Sequence, residues 1–157
     1  MTLISDAAPR PGQLLTRGLI RALTDLGYAA LSEVTLATGR RVDAMAIDAK
    51  GEISVVEVKS SVADFRSDGK WWEYGEFCDR FYFAVPPQFP REILPDECGL
   101  FVVDTYGGAL LRAAPAERLS AARRKALLIR FAHLASRRCN LIPVDWDSDG
   151  TATVAAG

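Results

Sequence analysis

Histidine is nearly absent: His133 is the only one in 157 residues. Cysteine is scarce, with Cys78, Cys98 and Cys139 far apart and no Cys-X-X-Cys pair. A structural zinc site needs closely spaced thiolate and imidazole ligands, and a disulfide framework needs paired cysteines, so neither is expected. The thiols read as reduced and partly buried. An excess of either charge is also lacking. Lys and Arg number 19 against 20 Asp and Glu, a net charge of −1. That excludes a protein that coats nucleic acid through a global positive field, but not a local basic surface. No apolar run approaches the ~20 residues of a membrane span, and Met1–Gly12 has no hydrophobic signal core. The expectation is a cytoplasmic protein with no membrane partner. Internal repeats and low-complexity tracts are absent as well.

What is present is the composition of an ordinary globular protein, 49% apolar and 25% charged. The length suits one domain with a real hydrophobic core. Residues 1–12 read as a leader broken by Pro9, Pro11 and Gly12, residues 13–140 as the folded domain, and residues 141–157 as a mobile tail or a short hairpin around Asp149-Gly150. Leu14, Leu15, Leu19, Ile20, Leu23 and Leu26 recur at helical spacing before Gly27, which predicts a first helix over 13–26. Strand-like runs follow at 29–36, 41–48 and 52–59, separated by Ala37-Thr38-Gly39 and Ala49-Lys50-Gly51. Three-residue connections with glycine last are type I turns closed by a left-handed glycine, so two successive hairpins are expected. A second helix is predicted over 62–77 with Ser61 as its N-cap. The apolar strand 80–85 comes next, and its crossover implies a parallel neighbour. Strands at 99–104 and 109–112 and a long helix over 115–138 complete the pattern. The fold class is α/β, a mixed sheet flanked by helices on both faces. The second and third strands are apolar on both sides, as central strands are.

The turns fix a register. A loop at 49–51 sets Asp48 against Glu52, and counting inward sets Asp43 against Glu57. A loop at 37–39 sets Leu36 against Arg40, and counting inward sets Glu33 against Asp43. Glu33, Asp43 and Glu57 then form one row on one face, and Lys59, two residues past Glu57, points the same way. Directly opposed Cβ atoms lie ~4.5–5.5 Å apart, where like charges repel. A half-buried carboxylate row is costly unless a cation sits in it or a proton is taken up. The oxygen-only set suits a hard divalent ion, Mg2+ or Mn2+, on Asp43 and Glu57. Such an ion supplies an activated water and screens a scissile phosphate. Lys59 would orient or help deprotonate that water, or neutralise developing charge. The candidate catalytic set is Glu33, Asp43, Glu57 and Lys59.

At these residues the chain resembles the PD-(D/E)XK nuclease superfamily, whose signature is an acidic residue on one strand and Asp/Glu-X-Lys on the next. The match is Asp43 with Glu57-Val58-Lys59, and Val42 stands where the signature proline would be. A more specific resemblance, from about Gln13 to Arg138, is to the MmcB-like DNA repair protein family. It rests on Glu33-Val34-Thr35-Leu36, Gly39-Arg40-Arg41-Val42-Asp43, Val56-Glu57-Val58-Lys59-Ser60-Ser61, Asp64-Phe65-Arg66-Ser67-Asp68, Lys70-Trp71-Trp72-Glu73-Tyr74 and Cys78-Asp79-Arg80-Phe81-Tyr82-Phe83-Ala84-Val85. It implies a restriction-endonuclease-like fold and a role in DNA repair, with DNA and other repair proteins as partners.

Candidate DNA contacts are Arg40 and Arg41 at the entrance to the Asp43 strand, Ser60 beside Lys59, Arg66, and Lys70 with Tyr74 one helical turn apart. For the 64–74 stretch the alternative is a surface helix whose Trp71 and Trp72 pack into the core. Arg123, Arg130 and Arg137 recur every seven residues. They form either a stripe that tracks a phosphate backbone, with Arg123 and Arg130 as contacts, or the solvated back of a packed helix. Three functions remain open: a metal-dependent nuclease hydrolysing DNA phosphodiester bonds, a catalytically inactive nuclease-fold DNA-binding or scaffold protein, and an interaction module for another repair protein. Oligomeric state is not legible.

Overall fold

The computed structural model describes residues 7–140 together with the backbone of 144–146 and 152–154. The chain forms two compact units, 1–120 and 121–157. The first begins with α1 (Pro11–Asp25) and continues through β1 (Ala29–Thr35), β2 (Arg41–Ile47), β3 (Ile53–Val58), α2 (Val62–Ser67), a 3-10 segment (Trp71–Phe77), β4 (Arg80–Val85), β5 (Gly99–Val103) and β6 (Gly108–Arg112). The second holds α3 (Ala121–Cys139) and a paired β7 (Val144–Trp146) and β8 (Ala152–Val154). β7 and β8 run antiparallel, and residues 147–151, where a hairpin around Asp149-Gly150 was one expectation, lie outside the described residues. Among the described residues no helix is long and apolar enough to cross a membrane.

The sheet of the first unit has six strands in the order β1-β2-β3-β4-β5-β6. It is mixed: β3, β4 and β5 run parallel, and β1–β2, β2–β3 and β5–β6 are antiparallel. The glycine turns do what their sequence requires. Gly39 and Gly51 have φ of +84° and +85°, a region open to glycine without a Cβ penalty. Leu36 and Arg40 close the first hairpin, with the Leu36 N–H donating to the Arg40 carbonyl at 2.7 Å, and Asp48 and Glu52 close the second at 3.1 Å. Every residue of β3 is buried, as its two-sided apolar pattern predicts.

Side-chain alternation sorts the core into two layers. Ala44, Ala46, Val56, Val58, Tyr82, Ala84, Phe101 and Val103 meet Leu15, Leu19 and Leu23 of α1. On the other face Phe83, Val85 and Leu100 pack with Val62 and Phe65 of α2 and Trp71 of the 3-10 segment. Helical structure therefore covers both faces. Gly18 brings α1 close to the β5–β6 turn, since a Cβ there would fall 1.6 Å from the Asp104 carbonyl oxygen.

Two expected helices are shorter than their patterns. The stretch 62–77 splits into α2 and the 3-10 segment because Asp68 leaves helical geometry (φ −99°, ψ 91°) to bond Lys59, and Gly69 follows. The helix expected from 115 begins at Ala121 instead. Buried Asp79 holds the intervening chain: its carbonyl accepts from Glu117 N–H at 2.8 Å and its Oδ1 from Leu119 N–H at 2.9 Å. Those bonds use amides that a helix start would leave elsewhere.

Candidate active site

Asp43 and Glu57 meet where β2 and β3 part. The β2–β3 ladder ends at Ala44↔Val56, so the next opposed positions are Asp43 and Glu57, as the turn register predicts. Beyond that pair the backbone bonds stop and the carboxylates replace them. Glu57 Oε1 accepts from the Asp43 N–H at 3.2 Å, and Asp43 Oδ2 accepts from the Val58 N–H at 2.8 Å. Each headgroup is held by a neighbouring strand's amide, and each carboxylate has further lone pairs to offer.

Charge is expensive here. Glu57 is 5% exposed, and burial first, then the Asp43 charge, pushes its carboxyl up to about 8. Asp43 is pushed up as well, chiefly by burial, against the pull of the Val58 N–H and Lys59. A buried pair that resists double ionisation is what a bound cation relieves. The donor set fits a hard divalent ion in kind, since Mg2+ usually takes one or two carboxylates and keeps several waters. Among the described residues, no group of three or more His, Cys, Asp or Glu side chains is arranged to hold a metal ion.

Lys59 is buried, and its Nζ donates to Asp68 Oδ2 at 2.8 Å. Burial raises the Asp68 carboxyl, but the Lys59 bond and charge outweigh it and leave it below the usual carboxylate range. Tyr74 lies close to this group: burial, then the Glu57 charge, pushes its phenol up. Its ring stacks on Phe81 at 6.1 Å, and the Arg40 guanidinium carbon sits 4.8 Å from its centroid while pairing with Glu73.

A cleft of about 820 Å³ opens beside the pair. Asp43, Val58 and Ser60 form one side, Ser32, Glu33 and Arg41 another, and Arg10, Gln13, Thr16 and Arg17 of the α1 start a third, with Asp64 at the edge. The Ser60 N–H donates to Asp64 Oδ2 at 3.0 Å. Its charged lining is three arginines, Arg10, Arg17 and Arg41, and three acids, Glu33, Asp43 and Asp64.

Glu33 does not complete the expected row in a simple way. Pairs Val34↔Val42 and Ser32↔Ala44 keep the register on either side of it. Yet Glu33 has φ +52°, the one left-handed non-glycine residue among those described. That backbone breaks the strand alternation on which the face count rests. Its exposed side chain lines the same cleft as Asp43. Lys70 and Tyr74 differ in exposure: Lys70 is exposed at the start of the 3-10 segment and Tyr74 is 5% exposed. Trp71 packs into the core, whereas Trp72 is 60% exposed. Arg66 is exposed on α2. Arg123, Arg130 and Arg137 are exposed on α3 in the second unit, and His133 is exposed as well.

Asp68, Arg10 and Arg17 escaped the sequence reading. For Asp68 a signal existed: Ser67-Asp68-Gly69 is turn composition inside an expected helix. For the arginines of α1 none did, because the helix period says nothing about which strand ends its first turn reaches.

The model of the family described as DNA repair protein MmcB-like matches residues 3–146. A solved structure, the SPO1766 protein of unknown function from Silicibacter pomeroyi, is 46% identical over 85% of this chain and 92% of that chain, with a TM-score of 0.82. No curated protein matches.

Proposed function

Because the chain belongs to the MmcB-like DNA repair family, we propose that it is a metal-dependent deoxyribonuclease of the PD-(D/E)XK kind, working in repair at Asp43, Glu57 and Lys59. The observation that supports this most is the opposed, amide-held Asp43–Glu57 pair, whose ionisation burial resists. Asp43 and Glu57 would hold Mg2+ or Mn2+, which supplies Lewis-acid activation of a water. The chain's own residues do the rest. The Val58 and Asp43 amides fix the two carboxylates, so little reorganisation accompanies ion binding. Lys59, held by Asp68, places a positive charge beside the pair for the charge that develops on the phosphoryl oxygens. Arg41 at the cleft wall, joined by Arg10 and Arg17, offers guanidinium forks to flanking phosphates. Ser60 and Glu33 border the same space, Glu33 as a further acid. Arg40, with its ion pair to Glu73, Arg66 and Lys70 are contacts farther along the backbone path. Arg123 and Arg130 belong to the second unit and would add nonspecific affinity.

One observation favours the second reading, an inactive nuclease-fold protein that binds DNA or scaffolds other repair proteins. Among the described residues no third carboxylate joins Asp43 and Glu57 in a group arranged to hold a metal ion. The two readings separate in one experiment. Pure protein is incubated with Mg2+ or Mn2+ and a panel of nicked, flapped, branched and single-stranded DNAs. Cleavage lost in Asp43→Ala and in Glu57→Ala is expected. Cleavage that survives both sinks this site. Salt-sensitive binding without metal and without cleavage supports the second reading.

A further inference from the structure

A second hollow, of about 250 Å³, lies away from the carboxylate pair, among the 3-10 segment, the start of β4 and the stretches around 97 and 117. Its walls are aromatic. Trp71 stacks on Phe81 with centroids 5.7 Å apart, and Trp72 meets Trp71 edge-on at 6.0 Å. Trp72 remains 60% exposed, although an exposed indole is costly surface. Every charged residue of the lining is acidic: Asp79, Glu97 and Glu117. Asp79 is 2% exposed and fixed in place, its Oδ2 accepting from Ile53 N–H at 2.8 Å and its Oδ1 from Leu119 N–H at 2.9 Å. Glu97 and Glu117 are exposed at the rim.

This lining selects its occupant. Nucleic acid is repelled by the acids. A metal is not the occupant this lining suggests: among the described residues no group of three or more His, Cys, Asp or Glu side chains is arranged to hold one. The volume falls below the roughly 300–1,000 Å³ of sites for drug-sized ligands and suits one long side chain. Aromatic faces flanked by carboxylates recognise a planar organic cation, and guanidinium meets both, stacking on indole and forking to carboxylate.

We propose that the Trp71–Trp72 hollow is a docking site for an arginine side chain on a basic segment of a partner protein. The acidic rim supplies the charge complementarity, and Trp72 supplies the surface that the guanidinium covers. This site is independent of the chemistry at Asp43 and Glu57.

The test follows the Trp71 and Trp72 indole N–H signals by NMR in the full chain. A short glycine–arginine peptide, its lysine counterpart and its glutamate counterpart are titrated in turn. The arginine peptide is expected to shift both signals and bind more tightly than the lysine peptide, with the glutamate peptide inert. Trp72→Ala, and separately Glu97→Gln with Glu117→Gln, should each weaken the arginine peptide at least fivefold. All three positions are exposed, so unchanged melting temperatures show that the variants fold. Arginine-peptide binding unaltered in both variants overturns the proposal, as does equal binding of the glutamate peptide. Concentration-dependent dimerisation that Trp72→Ala abolishes overturns it too, because a second copy would then be the occupant.

Discussion

Replacing Glu57 with Gln should make the metal-free protein more stable, although it removes a residue central to the proposed chemistry. Glu57 is 5% exposed and its carboxyl is pushed up to about 8, from an ordinary value of 4.5. The folded state therefore holds a proton that the unfolded chain releases. Below about pH 4.5 both states are protonated and nothing is lost. As pH rises toward 8 the unfolded state gains by ionising and stability falls, levelling off above the folded value. Three and a half units correspond to roughly 5 kcal/mol as a ceiling, and relaxation of the site leaves about 2–5 kcal/mol at pH 8. Gln cannot ionise, and its carbonyl oxygen can still accept the Asp43 N–H. At about 2–4 °C per kcal/mol for a chain of this size, Glu57→Gln should melt roughly 4–20 °C higher at pH 8 in EDTA. The gain should shrink toward zero at pH 4.5. Thermal melts of both proteins from pH 4.5 to 9 check it. A variant that melts at or below the parent at pH 8, with the same pH slope, would refute the claim that burial and Asp43 oppose ionisation of Glu57.

Asp68→Asn removes the partner of a buried ammonium and should cost about 2–4 kcal/mol near neutrality in urea unfolding. Because the Asp68 carboxyl lies below its usual range, that difference should persist through mildly acid pH and close only as pH falls through the depressed value. Glu33→Gly relaxes the left-handed backbone at φ +52° and should stabilise by up to ~1 kcal/mol, an effect that calorimetry resolves. A destabilised Glu33→Gly would show that contacts of the side chain outweigh the strain. Gly18→Ala drives a methyl into the Asp104 carbonyl, 1.6 Å from where its Cβ would lie, and should cost about 3 kcal/mol or more by forcing α1 off the β5–β6 turn. A Gly18→Ala protein with parental stability would contradict that packing.

The site was legible where a short turn transmits register. Gly51 ends a three-residue connection, and counting inward from it set Asp43 against Glu57 across fourteen residues of sequence. At Glu33 the count still sets the residue opposite Asp43, between Ser32↔Ala44 and Val34↔Val42, but a turn count does not foresee its left-handed backbone. The break between α2 and the 3-10 segment follows from a tertiary bond, Asp68 to Lys59, that overrides helical periodicity through Trp71 and Tyr74. Likewise the delayed start of α3 follows from Asp79, forty positions before the Leu119 amide it holds. Propensity sees neighbours in sequence, and these are neighbours in space only. The two-sided apolar pattern of β3 did carry its central, fully buried place in the sheet.

Whether Asp43 and Glu57 share a divalent ion is the question on which the proposed chemistry turns. Electron paramagnetic resonance of Mn2+ titrated into the protein at pH 8 reads bound against free ion directly. The parent should bind Mn2+, Mg2+ should compete it off, and Asp43→Ala and Glu57→Gln should each abolish the bound signal. A parent that leaves Mn2+ free in solution, or a bound signal that survives both substitutions, would contradict the account.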